Sequence, residues 1–307
     1  MSNDYKAIRF HEYGASDRLV LESIPRPTLK ADEVLVEVHY AGVNPVDWKI
    51  RAGYLKDYMP LALPAIPGID VAGVVVELGP AAKRFSLGQA VFGVSKGGYA
   101  EYAVASEKDL VAKPDKLGFD LAATVPVGAL TAWKAIEDSG VGLGQTVVIQ
   151  GGAGGVGLFA VQLARLKGAK VIGTASAGNL AFIASLGADK AVDYKSPSLA
   201  AELGGADVLV DLAGGEALEK AYGLVRKGGV LVTVAGQVSA EKAAQAGITA
   251  LVSGRGPADL LVPIAKLLAE GKLRCEVAKV FPLAEAKAAQ ELCQSGHGRG
   301  RIVLKVR

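Results

Sequence analysis

The sequence predicts an α/β protein in which a barrel-like β module is joined to a doubly wound parallel sheet. Three observations carry that reading. Seven of the thirteen prolines fall in the first 80 residues, among short alternating apolar runs. From Thr146 onward strand and helix patterns alternate, and Pro197 is the single proline between Pro126 and Pro257. The chain has 307 residues, beyond the roughly 250–300 at which one core usually splits into two.

The β module rests on the runs Val34–Val38, Val71–Leu78, Ala90–Val94 and Tyr99–Val104, separated by turns such as Leu87-Gly88 and Lys96-Gly97-Gly98. Many short strands with Gly and Pro turns suggest a barrel-like sheet. A helix is expected over Ala122–Asp138, with Leu130, Trp133 and Ile136 on or near one side. Strands are then expected at Thr146–Gln150, Lys170–Thr174, Lys190–Asp193, Asp207–Leu212, Val230–Val234 and Ile248–Val252. Helices are expected at Gly155–Lys167, Asn179–Leu186 and Ala217–Val225. Runs such as Val147-Val148-Ile149 and Val208-Leu209-Val210 suit a parallel sheet covered on both faces.

Beyond Pro257 the pattern reads helix (Pro257–Glu270), strand (Val277–Phe281), helix (Ala284–Gln294) and closing strand (Arg301–Val306). The closing strand is expected to rejoin the first module. That module would then comprise residues 1–119 and 257–307, around a doubly wound module of residues 120–256.

Composition narrows the function classes. The 34 basic and 31 acidic residues are well mixed and leave a net charge of +3, with no polybasic block to attract nucleic acid or an anionic membrane. Two cysteines, Cys275 and Cys293, cannot make a disulfide framework and suit a reducing cytosol. MSNDYKAIRF lacks the basic and apolar regions of a signal peptide, and no apolar run reaches the roughly 18 residues of a membrane span. A cytoplasmic location is expected.

The strongest motif is Gly151-Gly152-Ala153-Gly154-Gly155-Val156-Gly157, between a strand and a helix. Gly152, Gly154 and Gly157 satisfy G-x-G-x-x-G. A pyrophosphate needs close approach of the backbone, and a helix N-terminus offers free N–H groups and a positive dipole end. Gly155 and Val156 are placed in the same cradle. An NAD site usually carries Asp or Glu at the end of the second strand, on the ribose hydroxyls. Here Thr174, Ser176 and Asn179 occupy that region, and residues 171–188 contain no Asp or Glu. The neutral strand end leaves room for a 2′-phosphate and favours NADPH over NADH. The same window holds no Lys or Arg, so the cation must come from elsewhere; Tyr194 and Lys195 are the nearest candidates. Backbone contacts to the nicotinamide ring are expected after the fourth and fifth strands, at Leu212 and Ala213-Gly214-Gly215 and at Ala235-Gly236-Gln237.

A zinc site needs three or four Cys, His or carboxylate ligands. His11, His39, His297, Cys275 and Cys293 are scattered, and neither C-x-x-C nor H-E-x-x-H occurs. Catalysis without zinc is expected.

Several further segments carry a resemblance. Residues 41–53 (AGVNPVDWKIRAG), 64–73 (PAIPGIDVAG), 128–133 (GALTAW), the glycine loop, 185–189 (SLGAD) and 298–304 (GRGRIVL) resemble the zinc-free medium-chain dehydrogenases/reductases, in their quinone oxidoreductase-like branch. The resemblance implies a GroES-like catalytic domain joined to a Rossmann domain. In the zinc-dependent relatives a Cys ligand stands where this chain has Asn44, and Gly-His-Glu where it has Gly68-Ile69-Asp70. The resemblance places Asn44 beside the nicotinamide, Thr131 on the phosphate or nicotinamide side, and Ser176 and Tyr194 on the adenosine 2′-phosphate. It also brings Gly300, in the closing segment, to the cofactor. Relatives often carry Lys a few residues after the serine; this chain has Leu180 nearby.

The expected reaction is hydride transfer from NADPH to a quinone or to an activated, α,β-unsaturated carbonyl. Asn44 is the first candidate for a hydrogen-bond donor at the reacting centre, and Tyr54 for a proton donor. Asn44 could equally be a turn residue before Pro45, and Tyr54 a surface aromatic. Trp48 could shape a substrate pocket or be core; His297 could line the active-site cleft from a docked C-terminal loop or be solvated. The alternatives are an enoyl thioester or 2-enal reductase of the same superfamily, or an NADPH-binding sensor or structural protein with little turnover. The resemblance implies a homodimer, in which an edge strand at Ile248–Val252 could pair across a twofold axis.

Overall fold

The structure, a computed structural model, describes residues 4–296 and 298–307. His297, weighed above as a loop residue, lies outside the described residues. The chain divides into two compact units, Met1–Val127 with Ala258–Arg307, and Gly128–Pro257.

In the first unit, β1 (Asp4–Arg9) and β2 (Val20–Pro25) form an antiparallel pair. The long strand β3 (Glu33–Val43) leads into helix α1 (Pro45–Arg51). After the 54–69 loop come β4 (Asp70–Leu78), β5 (Ala90–Val94), β6 (Tyr102–Ser106) and β7 (Leu110–Ala112), then the short helix α2 (Phe119–Ala122). The helix expected as one piece over Ala122–Asp138 is broken: α3 (Pro126–Asp138) starts afresh at Pro126. Proline has no N–H to continue a preceding turn but fits the first turn of a new helix. α2 packs on β3 and β4, which carries the first unit past residue 119 to Val127.

The second unit is a six-stranded parallel sheet. Its elements are β8 (Thr146–Gln150), α4 (Gly157–Leu166), β9 (Lys170–Ala175), α5 (Leu180–Ser185), β10 (Lys190–Asp193), α6 (Leu199–Leu203), β11 (Ala206–Asp211), α7 (Gly215–Ala221), β12 (Val225–Thr233), α8 (Ala240–Ala246) and β13 (Thr249–Val252). The spatial order is β10-β9-β8-β11-β12-β13, so the order reverses at β8. Ligands bind such sheets at the carboxyl edge, at the reversal. The apolar runs behave as their composition requires: Val147–Gln150 and Val208–Asp211 are buried. Helix α7 ends at Ala221, short of the expected Val225, because Val225 already pairs with Ala206. Helices α6 and α8 carry too few apolar residues at helical spacing to be read from the sequence.

The chain then returns to the first unit through α9 (Leu261–Ala269), β14 (Val277–Pro282), α10 (Ala286–Gln294) and β15 (Arg301–Lys305). β15 pairs antiparallel with β3, Ile302 opposite Val43. The resulting sheet runs β14-β15-β3-β4-β5-β7, with β6 also on β3. Its core gathers Val34, Val36, Val38, Val71, Val75, Val91 and Leu110 with Phe281, Ala286 and Leu304 from the returning segment. The register has a local consequence: it sets Arg301 beside Asn44, one residue beyond the end of β3. No helix among the described residues is long and apolar enough to cross a membrane.

Candidate functional site

In the second unit, the glycine loop leaves β8 at its carboxyl end. Gly151 adopts φ +76°, open to glycine at little cost. Gly157 sits so close to the strand end that a Cβ there would lie 2.1 Å from the Gly151 carbonyl oxygen. These two glycines shape the turn. Gly154 differs: its φ is ordinary, and the nearest atom a Cβ would meet is the Gly151 carbonyl oxygen at 3.3 Å. The loop is held from β9. Gly152 N–H donates to the Thr174 carbonyl at 2.8 Å, and Gly151 N–H to the Thr174 hydroxyl at 3.3 Å. Thr174 is buried, and its carbonyl and hydroxyl both accept from the loop. The N–H groups of Ala153, Gly155 and Val156 have no acceptor among the described residues. They stand where α4 begins, a ten-residue helix whose dipole points its positive end at the same place. Neutral N–H groups left unpaired at a helix start suit an anion, so the residues present fit a dinucleotide pyrophosphate.

The other expected cofactor residues of this unit end the neighbouring strands. Ser176 follows β9 and accepts from Asn179 Nδ2 at 3.1 Å. Tyr194 follows β10, half-exposed, and its N–H donates to the Ala175 carbonyl at 3.1 Å. Leu212 follows β11 beside Gly151, 3.7 Å from where that residue's Cβ would be. Ala235 follows β12, and its carbonyl is 2.6 Å from where a Gly214 Cβ would be. Gly236 faces Leu218. Thr131 is a buried residue of α3.

Asp211 escaped the sequence reading. It is fully buried at the end of β11, and its carboxylate accepts from Gly214 N–H at 3.0 Å, Ala213 N–H at 3.1 Å and Thr233 Oγ1 at 2.7 Å. Thus one side chain fixes the loop after β11 to the end of β12. The signal was a lone carboxylate closing an apolar run just before Ala-Gly-Gly.

The first unit holds Asn44, Tyr54 and Gly300. Asn44 precedes α1 and is wholly buried. Its Nδ2 donates to Asp70 Oδ2 at 2.9 Å, and its Oδ1 accepts from the Arg301 guanidinium. Arg301 also lies 3.0 Å from Asp70 Oδ2, and Asp70 Oδ1 accepts from Val127 N–H at 3.0 Å. Gly42 allows this packing, since a Cβ there would be 2.9 Å from the Asp70 Cβ. Gly300, at φ +69°, turns the chain into β15 beneath Glu276.

Beside this trio lies Asp47. Its Oδ2 accepts from Asn44 N–H at 2.8 Å and from Tyr99 OH at 3.0 Å, while its Oδ1 has no partner among the described residues. Burial, reinforced by the charge of Asp70, pushes its carboxyl up to about 7, against the opposing pull of the Asn44 N–H, Tyr99 and Arg301. Burial and the Asp47 carboxylate raise the Tyr99 hydroxyl well above its usual range, and burial lifts the Cys293 thiol on α10 to about 11. Arg51 is also buried and joins α1 to α10 by donating to Gln290 Oε1 at 2.8 Å.

Tyr54 is different. It is 67% exposed, and its ring meets Trp48 edge-on at 5.8 Å. Its hydroxyl makes no hydrogen bond among the described residues.

Comparison with known proteins fits both units. Residues 30–115 match the family described as Alcohol dehydrogenase GroES-like domain, and residues 186–304 the family described as Zinc-binding dehydrogenase. The Chloroplast envelope quinone oxidoreductase homolog of Arabidopsis thaliana is 35% identical, over 97% of this chain and 98% of that protein. The chain belongs to the medium-chain dehydrogenase/reductase superfamily, in its quinone oxidoreductase-like branch. Among solved structures of this superfamily, the quinone oxidoreductase from Coxiella burnetii superposes with TM-score 0.89 at 36% identity, over 99% of this chain and 100% of that one. The NADPH-dependent alkenal/one oxidoreductase of Arabidopsis thaliana is 34% identical, over 98% of this chain and 79% of that protein. The chain is accordingly an oxidoreductase of this superfamily.

The second family description raises the question of zinc. Among the described residues no group of three or more His, Cys, Asp or Glu could hold a metal. Of the two positions where the resemblance puts zinc ligands, Ile69 offers no ligand atom and Asn44 Oδ1 already accepts from the Arg301 guanidinium. These residues do not fit a zinc ion.

Proposed function

We propose that the protein is an NADPH-dependent oxidoreductase that delivers hydride to a quinone or an α,β-unsaturated carbonyl without zinc. The observation that supports this most is the set of unpaired N–H groups at Ala153, Gly155 and Val156, next to a β9 end with no carboxylate. A carboxylate at that end would repel a 2′-phosphate. Bound NADPH would supply the hydride at its nicotinamide C4.

The chain's own work is binding and placement. The loop N–H groups take the pyrophosphate, and Ser176 and Tyr194 take the adenosine end. Thr174 and Asp211 act as positioning residues, one holding the glycine loop and the other the loop after β11. Leu212, Ala235, Gly236, Thr131 and Gly300 remain proposed cofactor contacts. Asn44 enters as a positioning residue, since its amide is shared between Asp70 and Arg301. Tyr54 carries an exposed, unshared hydroxyl, and we assign it delivery of the proton that follows hydride transfer.

That exposed Tyr54 also favours a second reading within the same chemistry, reduction of enals or enoyl thioesters, where a carbon must be protonated. Rates with NADPH and a panel of quinones, enals and enoyl thioesters test the choice. Turnover of none would leave a nucleotide-binding protein and overturn the enzymatic reading. We also propose a homodimer through β13, which among the described residues pairs with β12 alone and has no partner on its other edge. Elution as a monomer at micromolar concentration would contradict it.

A further inference from the structure

The NADPH reading lacks a cation for the 2′-phosphate, because residues 171–188 contain neither Lys nor Arg. We infer that Lys195 supplies it, making this residue the determinant of NADPH over NADH; the inference rests on the NADPH reading.

The geometry is local to the second unit. Asp193, the last residue of β10, pairs with Ala175, the last of β9. The next residues, Tyr194 and Ser176, therefore leave the carboxyl edge of the sheet side by side, and the Tyr194 N–H to Ala175 bond holds them so. Lys195 follows at once, exposed, with Nζ 5.8 Å from the Tyr194 ring centroid. Its backbone is fixed: Lys195 N–H donates to Asp193 Oδ1 at 3.0 Å, and Ser196 N–H to the Asp193 carbonyl at 2.9 Å. That engages the carboxylate of the turn with the backbone and leaves the ammonium free.

Other basic residues nearby are spent or misplaced. Lys190 pairs with Glu202 at 3.1 Å, and Arg165 pairs with Asp189 at 2.9 Å. Lys167 caps the C-terminal end of α4 and Lys170 opens β9, both at the opposite edge of the sheet. Lys195 has no carboxylate partner among the described residues and stands at the edge where the adenosine ribose must lie. A flexible ammonium beside a phosphate-accepting Ser and Tyr suits a dianionic phosphate ester; a free ribose hydroxyl gains little from it.

The test is equilibrium titration with NADPH and NADH separately, read by nicotinamide fluorescence, for the wild type, Lys195→Ala and Lys195→Arg. The wild type is expected to bind NADPH more tightly. Lys195→Ala should weaken NADPH about tenfold, the loss of one charge-assisted contact, and move NADH less than about twofold. Lys195→Arg should keep the preference, and the wild-type preference should shrink at high salt. A wild type that prefers NADPH while Lys195→Ala keeps that preference would overturn the inference and leave the NADPH reading standing. A wild type with no preference would overturn the NADPH reading itself.

Discussion

At the start of α4 the polar atoms without partners are neutral backbone N–H groups, those of Ala153, Gly155 and Val156. Around the start of α1 they are buried side-chain atoms, Asp47 Oδ1 and Arg301 Nε, next to two carboxylates and a guanidinium. The first arrangement costs little fold stability and is prepared for an anion from outside. The second is turned on itself: Asn44, Asp70 and Arg301 hydrogen-bond to one another, with Arg301 Nε left over, and burial pushes the Asp47 carboxyl up to about 7. The difference teaches where function and stability part in this protein. Substitutions near Asn44 should act first on folding, and substitutions at the outer glycine of the loop first on binding.

The largest loss of stability should come from breaking the buried pair. Arg301→Ala or Asp70→Ala leaves one charge buried without its partner and should cost about 3–5 kcal/mol in urea unfolding. A loss below 1 kcal/mol, roughly that of an exposed pair, would mean the cluster is hydrated and not closed. Gly157→Ala comes next. Its methyl would meet the Gly151 carbonyl, so about 1–3 kcal/mol of stability and the cofactor affinity should fall together.

Asp47 gives an effect that is spread over pH and small at any one step. The native carboxyl keeps its proton up to about 7, whereas an unfolded Asp loses it near 3.8. Between those values the native state binds more protons than the unfolded one. Stability therefore falls as pH rises through that window and levels off above it, with a slope of at most about 1.4 kcal/mol per pH unit. Asp47→Asn should flatten that slope. An unchanged slope would show that Asp47 does not titrate there.

Tyr54→Phe should cost almost no stability, because the ring keeps its place against Trp48. It should lower kcat by about a hundredfold or more, the lower end of what a proton donor contributes, and leave NADPH affinity alone. An unchanged kcat would make Tyr54 a surface aromatic.

The same contrast explains what could be read in advance. The glycine loop, β8 to β11 and the neutral end of β9 were legible because each is a contiguous run whose residue types state their environment. The return of the closing strand, read as Arg301–Val306, to the first unit was legible as a strand left over beyond the sheet; its pairing with β3 was not. The Asn44–Asp70–Arg301 cluster was not, since Asp70 and Arg301 are 231 positions apart and nothing local marks them as partners. Helix α1 was hidden by Asn44-Pro45, which reads as a turn and in fact starts a helix with proline in its first turn. The break between α2 and α3 was lost because Ala-rich sequence on both sides of Pro126 shares one apolar pattern. Thr174 was placed at the cofactor from its position, but the pairing of its hydroxyl with Gly151 needs the third dimension.

The central claim is that the loop start of α4 is an anion site whose outer glycine serves the ligand and not the fold. Titration of Gly154→Asp with NADPH tests it most directly, alongside thermal unfolding of the same variant. The position has an ordinary φ, and a Cβ there meets only one carbonyl, at 3.3 Å. The unfolding midpoint is expected close to the wild type, and NADPH affinity is expected to fall at least about a hundredfold, as the new carboxylate would face the pyrophosphate. A variant that folds and binds NADPH as tightly as the wild type would contradict it.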